Sequence, residues 1–237
     1  NLMREHVTED TRIHYVITSG GSAPNVVPDF AEVFYYVRHP DPREVAAMFE
    51  RVVKAADGAA MGTGTTVDYE VIHGIYAVLP NEALARVMDA NLRAVGGVQY
   101  TEEERAFAEK IRQSFPPDAP SLAMAAEFQE FGIKEAGGST DVADVSWVVP
   151  TTGLRTATWV PGTAAHSWQA IAAGGTSIGT KGMIVAAKTL AFTAIDLFTT
   201  PALIAKARAE YEQKVGPNFV YKPLVGNRPP PLDYRMK

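Results

Sequence analysis

The chain has 237 residues, 46% of them hydrophobic and 21% charged, enough to bury one large core or two smaller ones. Its 22 Lys and Arg stand against 27 Asp and Glu, for a net charge of -5, and the basic residues are scattered, which argues against an electrostatic grip on nucleic acid. The absence of cysteine excludes disulfides and thiolate-held zinc and is compatible with a reducing compartment.

The N-terminal run NLMREHVTED has no apolar core of the secretory kind and no initiating methionine, so the expectation is a cytoplasmic, trimmed or fragmentary chain. Residues 12–19, RIHYVITS, alternate with Ile13, Tyr15 and Ile17 on one face and Arg12, His14 and Thr18 on the other, the period of a half-buried strand. The loop GGSAPNVVPD leads to a second strand, AEVFYYVR, closed by Arg38. Asp41-Pro42 starts a helix, since Asp caps free amides and Pro surrenders a donor that has no partner there. Val45, Met48, Phe49, Val52, Val53 and Ala56 recur at helical spacing up to Gly58. After a turn at GTGTT, the segment TTVDYEVIHG predicts a third strand with Val67, Tyr69, Val71 and His73 on one face. A strand and helix ahead of Asn1 would complete a ferredoxin-like α+β sandwich over residues 1–79.

At Pro80 the texture changes to longer helices, and a domain boundary is expected there. Asn81 caps a helix carrying Leu84, Met88, Leu92 and Val95. Thr101 and Glu104 form a capping box for a helix to about Ser114, stopped by Pro116-Pro117. Residues 136–179 are loop-rich. Thr180 is expected to cap a helix with the stripe Met183, Ile184, Ala187, Leu190, Ala191, Ala194, Ile195 and Phe198. Its most apolar part, interrupted by Lys188, is too short to cross a bilayer comfortably. Pro201 opens a last helix ending at Gly216, and the Pro-rich tail that follows is draped over the surface or partly disordered.

Asp141, Asp144 and His166 offer carboxylate and imidazole donors suited to a divalent ion. The alternative is that the aspartates cap a helix near Val142 and His166 hydrogen-bonds within a turn. His14 and Arg38 sit where a cation can meet a carboxylate or the charge growing on an attacked carbonyl, or else form a surface salt bridge. His6, His39 and His73 neighbour charged or turn residues and read as solvated. GGTSIGTKG lacks the spacing of a phosphate-binding loop and reads as a glycine turn. No GxSxG nucleophile elbow occurs.

The segment REHVTEDTRIHYVITSGGSAPNVVPDFAEVFYYVRHP resembles the lid, or dimerisation, domain of the co-catalytic metallopeptidase and amidohydrolase family that includes carboxypeptidase G and aminoacylase. STDVADVSWVVP, HSWQ and KGMIVAAKTLA are similar to its aminobenzoyl-glutamate hydrolase branch. The resemblance implies an α/β protein. Residues 1–79 would be the ferredoxin-like lid, lacking its first strand and helix, and 80–237 the returning part of a catalytic domain with a mixed sheet and flanking helices. It implies an enzyme that cleaves the amide bond of an N-acyl or aminobenzoyl amino acid with two divalent ions, Zn or Mn. His166 would be the last metal ligand. His14 would reach a partner subunit's site to stabilise the oxyanion, and Asn25 and Arg38 would hold the substrate carboxylate. Ser139, Thr140 and Asp141 would line the pocket, with Asp144 at a helix start or behind the ligands. The partner would be an identical subunit, docked through the lid, or a related one. In relatives the other metal ligands precede the lid, and nothing like them occurs in these 237 residues. The isolated chain is therefore expected to be a poor hydrolase, the alternative being a non-catalytic dimerisation or assembly module.

Overall fold

The structure, a computed structural model, describes residues 3–133, 138–230 and 232. The chain divides into two compact units, one formed by residues up to Ala77 with those from Lys222 on, the other by Val78–Tyr221.

In the first unit, strands β1 (Arg12–Ser19) and β2 (Glu32–Arg38) pair antiparallel, followed by helix α1 (Pro42–Thr63). Asp41 caps α1 by accepting the Arg43 N–H at 2.8 Å, with Pro42 at the first helical position. The helix outruns its predicted end at Gly58 and stops at Gly64, whose φ of 67° provides a left-handed cap. The strands are less covered than their alternation predicts: Tyr15 is 50% and Ile17 60% exposed. A sheet of two strands has little to lie against, and among the described residues the buried apolar side chain of the unit is Met48 on α1.

The predicted third strand is not formed. Residues 65–74 have no ladder partner, and the chain's own tail hydrogen-bonds two of their carbonyls. The Arg228 guanidinium donates to the carbonyls of Val71 (3.2 Å) and Ile72 (2.9 Å) and to the Glu70 carboxylate (2.8 Å). Gly74 lies so close to the tail that a Cβ there would come within 2.5 Å of the Leu224 side chain.

The second unit is helical. Among the described residues it contains α2 (Glu82–Val95), α3 (Glu102–Arg112), α4 (Val142–Ser146), α5 (Trp168–Gly174), α6 (Ser177–Thr199) and α7 (Pro201–Val215). The expected mixed sheet is absent among these residues. In the irregular run at 150–159, Thr156 donates its hydroxyl to the Gly182 carbonyl and Trp159 accepts from the Tyr100 hydroxyl; no strand lies alongside to pair with. The core gathers Val98, Tyr100, Ala108, Ile111, Leu122, Ala125, Val160, Ala173 and Ile178.

Helix α6 starts at Thr176, whose hydroxyl accepts the Ile178 N–H, one turn before the predicted Thr180. Its buried face is not the stripe of larger apolar side chains. Ile178, Gly179, Gly182, Thr189 and Thr193 turn inward, while Met183 (57%), Leu190 (49%) and Phe198 (85%) stay exposed. Small residues win because backbone approaches so closely: a Cβ on Gly179 would lie 2.2 Å from the Gly174 carbonyl oxygen, and one on Gly182 2.5 Å from that of Ala157. At 23 residues α6 is longer than expected and, by length and composition alone, reaches what a bilayer crossing requires. Along α2, Asn91 donates to Asp196 at 2.7 Å and Thr193 lies against the Met88 sulfur.

Two carboxylates, Glu104 buried and Glu210 half-buried, lock this unit. Glu210 on α7 accepts the free amides of Glu82 (2.7 Å) and Ala83 (2.8 Å) at the start of α2, where Asn81 also caps the Leu84 N–H. Glu104 completes the capping box with Thr101 and accepts Lys181 of α6 at 2.6 Å. Burial pushes the Glu104 carboxyl up, but hydrogen bonds from Lys181, Ser177 and the Thr101 N–H outweigh it and hold it at about 2. Glu210 stands likewise at about 2, where burial is outweighed by Lys214 and the two amides.

Both groups are depressed from 4.5, so their contribution is complete above that pH and is lost as pH falls toward 2. Glu104→Gln should cost about 1–3 kcal/mol at pH 7, and the gap between wild type and variant in thermal unfolding should close near pH 2. A gap independent of pH would contradict the assignment.

Candidate active site

The register of the strand pair decides what His14 and Arg38 share. Arg12 pairs with Arg38, His14 with Tyr36 and Val16 with Phe34, so these six side chains occupy one face. His14 and Arg38 are both exposed, and the Arg38 guanidinium lies over the Tyr36 ring at 5.4 Å. Among the described residues neither forms a salt bridge. Asn25 stands exposed in the loop joining the strands, within a turn in which the Val26 N–H donates to the Ala23 carbonyl.

In the second unit, residues 160–169 form a tightly held loop. Thr163 donates both its N–H and its hydroxyl to the Val160 carbonyl. Gly162, with φ of 93°, packs so that a Cβ would sit 3.1 Å from Pro120 and 3.4 Å from Ala119 and Phe115. Gln169 donates to the Ser114 hydroxyl at 3.1 Å, and Ser167 caps α5 by accepting the Ala170 N–H. A shallow cleft beside this support is lined by Glu109, Arg112, Phe115 and Pro117, and none of the expected site residues lies in it.

His166 sits at the tip, exposed, with a φ of 60°, and among the described residues it is the only non-glycine with positive φ. That conformation costs a side-chain-bearing residue about 1–2 kcal/mol, and such strain concentrates at functional sites.

Ser139, Thr140 and Asp141 are exposed at the start of α4; residues 134–137, just upstream, lie outside the described residues. Thr140, not an aspartate, supplies the cap, its hydroxyl accepting the Val142 N–H at 3.3 Å, while Asp141 makes no capping bond. Asp144 is half-buried and accepts the Tyr221 hydroxyl at 2.7 Å. Nothing local in the sequence points to Tyr221, which reaches a carboxylate 77 positions away. Tyr36 opposite His14 is also absent from the expected site, although counting back across the inter-strand loop would have found it.

A two-ion centre needs several convergent donors. Among the described residues no three His, Asp or Glu side chains gather to hold a metal ion. His166 is the only histidine of residues 78–221, and Asp144 is engaged by Tyr221. The described donors do not fit a two-ion site.

No family model matches the chain. It is 34% identical to a subunit of the p-aminobenzoyl-glutamate hydrolase of Escherichia coli K12, over 98% of this chain and 54% of that protein. Xaa-Arg dipeptidase of Mus musculus is 29% identical over 91% of this chain and 44% of its own length; that of Homo sapiens is 27% identical over 91% and 43%. The chain thus spans about half the length of the curated relatives it matches. These homologues bear out the family resemblance carried by the motifs.

Replacing His166 separates backbone strain from side-chain chemistry. In urea unfolding, His166→Gly should be at least as stable as wild type and His166→Val about 1–2 kcal/mol less stable than the glycine variant. Equal midpoints for the two would mean that the left-handed turn is not maintained.

Proposed function

We propose, from homology to p-aminobenzoyl-glutamate hydrolase and Xaa-Arg dipeptidase along nearly the whole chain, that this protein serves in hydrolysis of the amide bond of an N-acyl amino acid of the aminobenzoyl-glutamate type. The observation that carries the reading is the sheet face that His14 and Arg38 share, neither of them paired with a carboxylate among the described residues.

Hydrolysis of an amide develops negative charge on the carbonyl oxygen, and a preorganised N–H donor lowers that barrier more than any contact made equally with the ground state. His14 is the donor in this reading, acting on a site in a neighbouring protomer. Arg38 and Asn25 hold the carboxylate beside the scissile bond, the guanidinium as a planar fork. Ser139, Thr140 and Asp141 line the acyl pocket. His166 would contribute one imidazole to metal binding, but the described donors do not complete a two-ion centre, and activation of water is not assigned to them.

A second reading, an assembly module without catalysis, is favoured by the apolar surface left open on β1, β2 and α6. Metal stoichiometry separates the two. An assembly module binds no ion through His166, whereas the hydrolase reading requires His166→Ala to lower metal content.

In the full-length protein, His14→Ala should reduce turnover roughly a hundredfold or more, as loss of an oxyanion donor does, with metal content unchanged. Loss of metal with turnover per loaded site preserved would refute the role. Arg38→Ala should raise KM for substrates bearing a carboxylate and leave uncharged amides without that penalty.

A further inference from the structure

Pairing of β1 with β2 sets two guanidinium side chains directly opposite one another, Arg12 against Arg38, next to the His14–Tyr36 pair on the same face. Like charges in that relation weaken a strand pair, and here no counter-charge relieves them. Among the described residues neither arginine has an ion-pair partner. Arg12 donates through Nη1 to the backbone carbonyls of Glu9 (2.5 Å) and Thr11 (2.9 Å), which anchors the side chain without cancelling its charge. Arg38 is steadied by the Tyr36 ring. Two anchored cationic forks on neighbouring strands, both solvent-exposed, complement a pair of carboxylates borne by one small molecule. His14 is two residues along the strand from Arg12, about 7 Å, within the reach of an amide carbonyl on that molecule.

We propose that Arg12 and Arg38 form a two-carboxylate clamp and that Arg12 is a specificity-determining residue, selecting N-acylated acidic amino acids by their side-chain carboxylate. The clamp rests on the hydrolase reading given above. It adds that Arg38 keeps the carboxylate next to the scissile amide while Arg12 reads the second one, so that glutamate is distinguished from glutamine by a charged hydrogen bond.

The test compares N-(4-aminobenzoyl)-glutamate with N-(4-aminobenzoyl)-glutamine in the full-length, metal-loaded protein. Arg12→Gln should lower the ratio of kcat/KM for glutamate over glutamine on the order of 10- to 100-fold, mostly through KM, as expected for one charged hydrogen bond. Arg12→Lys, which keeps the charge but loses the fork, should recover part of the ratio and covers the case in which the glutamine variant folds poorly. In the 237-residue chain, glutarate should shift the Nε–H resonances of Arg12 and Arg38 together, and butyrate should not. An unchanged ratio in an active enzyme, or glutarate shifting neither arginine, overturns the clamp while leaving the hydrolase reading intact. A wild-type protein that cleaves neither substrate overturns the hydrolase reading and the clamp with it.

Discussion

Side chains alternate strictly across a strand, so once Arg12 is paired with Arg38 there is no freedom left over which residues share a surface. A slip of one position would carry His14 to the face of Tyr35 and scatter the cations. The first unit therefore derives its chemical character from a single register, in which Arg12, His14, Tyr36 and Arg38 become neighbours although they span the loop at 20–31. The unrelieved charge on that face is a cost to the strand pair.

In the second unit the governing constraint is close approach. Gly179 and Gly182 let α6 settle against the backbone at Gly174 and Ala157, and Thr189 and Thr193 fill the rest of that face. The larger apolar side chains are thereby turned outward, and burial there would release about 25 cal/mol per Å². The carboxylates of Glu104 and Glu210 tie helix starts to distant helices, so the order of the unit depends on their remaining ionised.

The loop bearing His166 combines both themes. Its flanks are fixed by Gly162 against the 115–120 segment and by Gln169 on Ser114, while its tip holds an imidazole in a backbone conformation that glycine would adopt at lower cost.

Most capping chemistry was legible in the sequence by itself. Asp41, Asn81 and the Thr101–Glu104 box cap helix starts in the structure, because a cap joins residues only two or three positions apart; Pro201 opens α7 without a side-chain cap, and α6 takes Thr176 in place of the expected Thr180. The two strands, and the placing of His14 on the face opposite Ile13, were equally local. Tertiary structure alone decided the rest. Alternation at 65–74 has the pattern of a strand, but a strand exists only with a partner, and Arg228 from the tail binds two of its carbonyls instead. Which side of the apolar helix α6 goes inward was likewise decided by how near its neighbours come, at Gly174 and Ala157. The opposition of Arg12 to Arg38, and the hold of Tyr221 on Asp144, arise between residues far apart in the chain, where spacing carries no information and only the packed backbone brings the groups together.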